Sequence, residues 1–369
     1  VGFFAGNENQ YVSTVAIGYQ AGQKFQGEDS IAIGYSAGQF TQASGSVAIG
    51  NQAGQLSQGL NAVSVGTFAG NFRQGQGSVA FGDSAGYTQQ GISATALGDS
   101  AGFENQGGAA VAVGFSAGLI NQKAGSIAIG NEAGSQNQGG TSIAIGNEAG
   151  RNNQASGSIA IGYEAGFNGQ LSGSVAVGYQ AGFTGQAAFS VAIGYEAGQY
   201  SQASRCVAIG LDAGSTGQQF QSVAIGERAG NTNQATGCTA VGSLAGGGGQ
   251  GQFAVAVGRI AGQNTQGANA VAIGYTSGYF NQASGAVAMG FEAGATNQGV
   301  NAIAIGYQAG ATGQRSGAIS IGVQAGQFGQ GSNSVSIGFQ AGNRGQQSDT
   351  ISIGNQAGFT GQGQYSVAI

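Results

Sequence analysis

Large and small apolar residues alternate in short bursts along the chain: Val15-Ala16-Ile17, Ile31-Ala32-Ile33, Val47-Ala48-Ile49, and so on to Ile351-Ser352-Ile353. A glycine closes each burst, and these glycines (Gly18, Gly34, Gly50 through Gly354) fall at every sixteenth position without insertion or deletion. Counted from Gly2, the chain holds 23 such repeats, with a second glycine four positions after the first in every one. With the first glycine as position 1, position 9 is Gln throughout and position 4 is Ala except at Ser277. Position 14 is always β-branched, and position 16 is Ile or Val except at Phe81, Leu97 and Met289.

Period-two alternation of β-branched residues is a strand signature, and a unit this short cannot hold a helix pair or a propeller blade. Glycine at positions 1 and 5 supplies corners between extended segments. The pattern predicts an all-β fold: a single-stack β-solenoid, or β-roll, of 23 rungs running as one continuous domain over residues 1–369. Coils pairing in register at about 4.8 Å would make a rod of roughly 110 Å. The absence of Pro suits ladders running the whole length, because Pro deletes a ladder hydrogen bond.

Stacking turns each position into a column. Positions 14 and 16 face one side of the strand, and positions 13 and 15, nearly all Ser or Ala, face the other. The simpler arrangement buries the Val/Ile stripe, making Val175, Val177, Val191 and Ile193 core-strand residues. In the reverse arrangement Ala fills a narrow interior and Val/Ile pack between chains. The alternation alone fits both. The Gln column, including Gln26, Gln42, Gln154, Gln170, Gln186 and Gln202, reads as a structural amide ladder or as a cap on corner carbonyls. A polar binding stripe is its functional alternative. Position 2 is Tyr or Phe in 11 repeats, Tyr163, Tyr179 and Tyr195 consecutively, which reads as a packing column or as a carbohydrate-binding stripe.

Glu132, Glu148 and Glu164 occupy position 3 of successive repeats; they form either a solvated edge or a cation site. Cys206 and Cys238 share position 13 two repeats apart. That spacing, about 9.6 Å, exceeds disulfide reach. The composition then narrows the chemistry. With no His, no Trp, 2 Cys and only 6% charged residues, imidazole catalysis and zinc or iron–sulfur ligation are excluded. Gly246 to Gly249 lack the Lys-Ser/Thr of a phosphate loop. The expectation is no enzyme, no cofactor and no metal. A net charge of −5 argues against nucleic acid as a partner, and no apolar run is long enough for a membrane span.

The core Ser174-Val175-Ala176-Val177-Gly178-Tyr179-Gln180-Ala181, like Ser46-Val47-Ala48-Ile49-Gly50 and Ser126-Ile127-Ala128-Ile129-Gly130, resembles the head repeats of trimeric autotransporter adhesins. The resemblance implies a left-handed β-roll, association of three chains, and a head that binds host matrix or other surfaces. The unit departs from that family's in its greater length, its constant Gln and its Ala-Gly pair.

Val1 and Ile369 both fall at position 16, so no polar capping repeat is visible at either end. With so few charges on the surface, this leads to the expectation of a structural fibre protein that assembles with itself, end to end or laterally and in threes if the resemblance holds. Its place would be an extracellular filament or the surface of a cell or virion. An adhesin-like rod recognising a host, matrix or carbohydrate surface is the competing expectation.

Overall fold

A computed structural model describes residues 1–369. The chain divides into two compact units, Val1–Phe189 and Ser190–Ile369. Each is a parallel β-solenoid with one repeat per turn, and no helix is present, so none is long and apolar enough to cross a membrane. In the first unit the strands of positions 14–16 run from Val15–Ile17 to Val175–Val177, and in the second from Val191–Ile193 to Val367–Ala368. Within a unit each pairs with the matching strand of the next turn in strict register, Ile127 with Ile143 and Ala128 with Ala144.

Positions 7–9 form the opposite side of the turn. They are regular strands from Glu8–Gln10 to Thr88–Gln90 and from Asn264–Gln266 to Thr296–Gln298, and elsewhere they narrow to single bridges such as Glu104 with Ile120. Every turn with Gly at position 8 lacks the regular strand. Glycine has no side chain to pack there and loses the most backbone freedom on ordering.

Four residues per turn, at positions 3, 5, 8 and 12, adopt left-handed backbone, and position 1 takes φ between 123° and 136°. Such conformations cost an L-residue about 1–2 kcal/mol each. Rung-to-rung hydrogen bonds hold them: Ser36 N–H donates to Tyr19 O at 2.8 Å, Asn105 to Thr88 O at 3.0 Å and Gly45 to Glu28 O at 2.8 Å. The glycine at position 1 is required twice over. At Gly114, with φ of 126°, a Cβ would lie 2.5 Å from the carbonyl oxygen of Gly130 in the next turn.

The interior is built from small side chains. Ala at positions 4 and 15, Ser or Ala at position 13 and Gln at position 9 are buried, as Ala117, Ala128, Ser126 and Gln122 show. The expectation that Val175, Val177, Val191 and Ile193 form a buried core is corrected. Their side chains point outward and are half-buried, with Ile193 38% exposed, while Ala176 and Ala192 between them are completely buried. The Ala-filled arrangement is the one that forms. The physical reason is width: the two sides of the turn approach so closely that alanine and one planar amide fill the space between them.

Gly130→Ala is therefore expected to destabilise the fold by about 2–4 kcal/mol, from backbone strain plus a clash with Gly146. Gly157→Ala, at a left-handed corner with open space around it, should cost about 1 kcal/mol. Urea unfolding followed by circular dichroism compares the two; equal effects would contradict the close approach at position 1.

Candidate functional site

The most ordered polar feature is the Gln ladder at position 9. Gln26, Gln42, Gln154, Gln170, Gln186 and Gln202 are all buried. Gln154 Nε2 donates to the Ile143 carbonyl of the preceding turn at 2.7 Å and to Gln170 Oε1 of the next at 3.2 Å, and Gln154 Oε1 accepts from Gln138 Nε2. Gln202 repeats this with Val191 O at 2.9 Å and Gln218 Oε1 at 3.0 Å. The amide fits because position 5 is glycine: a Cβ on Gly118 would stand 2.6 Å from Gln122 Oε1. A ladder buried this completely offers no binding stripe to solvent.

Further amide ladders at positions 3, 6 and 8 escaped the sequence reading, the last running through Asn105, Asn121, Asn137 and Asn153 at 3.1–3.2 Å. Gln308, Gln324, Gln340 and Gln356 link turn to turn at 2.9–3.1 Å, with Gln308 also donating to Glu292 at 2.7 Å. At position 6, Gln39 donates to Gln23 and Gln55 to Gln39, each at 2.9 Å. The signal was present in the Gln and Asn content of these columns, but their variability hid it.

The acidic run is resolved by its neighbours. Arg151 Nη2 lies 2.7 Å from Glu132 and Arg151 Nη1 lies 2.7 Å from Glu148, so a guanidinium occupies the place a bound cation would take. Glu164 accepts from Gln180 Nε2 at 2.7 Å, and Asp212 faces Arg228 at 3.4 Å. No three of the Cys, Asp and Glu side chains come together in a metal-holding group.

The aromatic column is exposed and stacked. Tyr163 and Tyr179 lie with ring centroids 5.1 Å apart and planes 7° from parallel; Tyr19 and Tyr35 repeat this at 5.1 Å and 11°. In the second unit Tyr275, Phe291 and Tyr307 stack at 5.2 and 5.1 Å, and Tyr195 is 48% exposed. Stacked rings cover each other's faces and turn their edges to solvent. A sugar-binding platform needs open ring faces, so this geometry is a poor one for it.

The Cys206 and Cys238 thiols are free and buried, and burial pushes both pKa values up. Thiolate is the reactive form, so burial and the raised pKa both suppress reactivity. One groove, about 690 Å³, is open and lined by Asn297, Gly313, Arg315, Gly329, Gln347 and Gln364. It holds one cation and no acid, base or nucleophile pair. No family model matches the chain, and no curated protein matches it.

Gln154→Leu would remove the hydrogen bonds that Gln154 makes with Gln138, Gln170 and the Ile143 carbonyl, at an expected cost of about 2–4 kcal/mol in urea unfolding. A neutral result would remove the ladder from the stability account. Both thiols should resist a hydrophilic disulfide reagent in the folded chain and react in denaturant; fast labelling of either in the native state would contradict their burial.

Proposed function

We propose that the chain is a structural protein whose β-solenoid associates with copies of itself into a filament, at an extracellular location or on the surface of a cell or virion. One observation carries this reading: in each unit the paired Val/Ile residues of positions 14 and 16 face outward in strict register. Ile129, Ile161, Ile193, Ile209 and Ile225 are each 36–38% exposed. A continuous apolar stripe of this kind is uncommon on a monomer and marks an association surface. The stripe repeats once per turn, so a second copy matches it in period, whereas a partner of different period meets it at isolated turns. The near absence of charge supports the same reading, because few like charges oppose lateral packing.

The resemblance to adhesin head repeats adds three chains per assembly to the proposal. An adhesin-like binding rod is the second reading, favoured by the exposed aromatic column and weakened by its stacked geometry.

The test replaces Ile129, Ile145 and Ile161 with Thr, which keeps β-branching and removes apolar surface. Sedimentation of the parent chain should show concentration-dependent assembly, and electron microscopy should show filaments. The triple variant should keep the parent circular dichroism and associate at least about tenfold more weakly. A parent that stays monomeric at high concentration, or a variant that assembles like it, would overturn the proposal.

A further inference from the structure

We infer that the tyrosine pairs Tyr19–Tyr35 and Tyr163–Tyr179 are oxidative modification sites, at which neighbouring turns become covalently joined as dityrosine. The first support is proximity. Within each pair the two phenols stand one turn apart at 5.1 Å between centroids, nearly parallel, held there by the register of the adjacent strands. All four rings are 40–52% exposed and open to an oxidant at their edges.

The second support is the lack of competing sinks. The chain has no Trp and no His, a single Met, and 2 Cys that are both fully buried. Exposed tyrosine is therefore its main group open to one-electron oxidation. A third observation concerns Tyr163, whose pKa is raised by the adjacent Glu164 carboxylate. Loss of an electron from a phenol must be accompanied by loss of its proton, and a carboxylate next to it in the chain favours that loss. Gln180 Nε2, 2.7 Å from Glu164 Oε2, holds that carboxylate in position.

The oxidant is hydrogen peroxide acting through a haem peroxidase. Each phenol gives up one electron and one proton, and the two electrons and two protons reduce one peroxide to two waters. The paired phenoxyl radicals join through a carbon–carbon bond between ring positions ortho to the oxygens. The two ortho hydrogens then move to the oxygens, restoring both aromatic rings. The net change is the loss of two hydrogens per pair, and the product staples two turns of one chain.

The structure contains its own control. Tyr275 and Tyr307 share the column and are 41% and 46% exposed, but Phe291 stands between them. The test treats dilute chain, mixed with an equal amount of nitrogen-15-labelled chain, with peroxidase and limiting peroxide. A protease that cuts at Phe25 and at Phe167 and Leu171 then separates the members of each pair for mass spectrometry. The expected products are Tyr19–Tyr35 and Tyr163–Tyr179 crosslinks of a single isotope class, each lighter by two hydrogens, with Tyr275–Tyr307 at least tenfold rarer. Tyr179→Phe, which keeps a stackable ring, should abolish the second crosslink and leave the first. Glu164→Gln should lower the second severalfold relative to the first. Absence of both intrachain products would overturn the inference. So would yields no higher than those of Tyr275, Tyr307 or the exposed Tyr11 and Tyr365, or products mainly of mixed isotope class.

Discussion

Everything in this fold depends on fitting one buried primary amide per turn between two backbone walls. A buried amide left without partners costs about 1–3 kcal/mol, so it can recur only if nearly every copy finds a donor or acceptor partner. Stacking supplies most of the partners: most Gln side chains donate to the Gln of the next turn and to a strand carbonyl of the preceding one, as Gln106 does with Gln122 and Thr95, while Gln42, Gln58 and Gln138 each leave the amide oxygen unpaired. The amide also dictates the glycine at position 5, whose Cβ would occupy its space. Position 15 is restricted to Ala or Ser for the same reason, since its side chain enters the same narrow slot.

A core this thin has a consequence for the outside. The β-branched residues that favour the strand cannot fit inward, so they stand on the surface, where each turn adds two more to the stripe. The conformational strain of the left-handed corners and the weak apolar content of an alanine core are offset by three kinds of ladder: backbone, buried amide and half-buried amide. Neutral amides replace ion pairs in that role, and several of the charges that remain are paired across turns, as Arg151 is with Glu132. The surface that results is nearly uncharged, regular and partly apolar, which is the physical basis for the proposed self-association.

Much of this was legible in the residues. Alternation at positions 13–16 placed the strand, the two constant glycines placed corners, and the constant Gln announced a ladder. The direction of the strand faces was not legible, because alternation separates large from small without saying which side is enclosed. The constant Gly at position 5 together with Gln at position 9 held the missing information, since a glycine that must clear an amide implies a narrow interior. The left-handed corner at position 8 had a readable signal, being Gly or Asn in most turns, as at Asn105, Asn121, Gly169 and Gly185. The one at position 3 had none, being occupied by Gln, Glu, Ser and even Ile260, because inter-turn hydrogen bonds impose that conformation.

The inside-out arrangement of the strand is the claim on which the account turns, and cysteine accessibility tests it most directly. In a background where Cys206 and Cys238 are replaced by Ser, Ile129→Cys and Ala128→Cys would each be exposed to a hydrophilic maleimide at concentrations too low for assembly. The account predicts rapid labelling of Ile129→Cys and protection of Ala128→Cys until the chain is unfolded. Protection at position 129 with rapid labelling at 128 would place Val and Ile inside and contradict it.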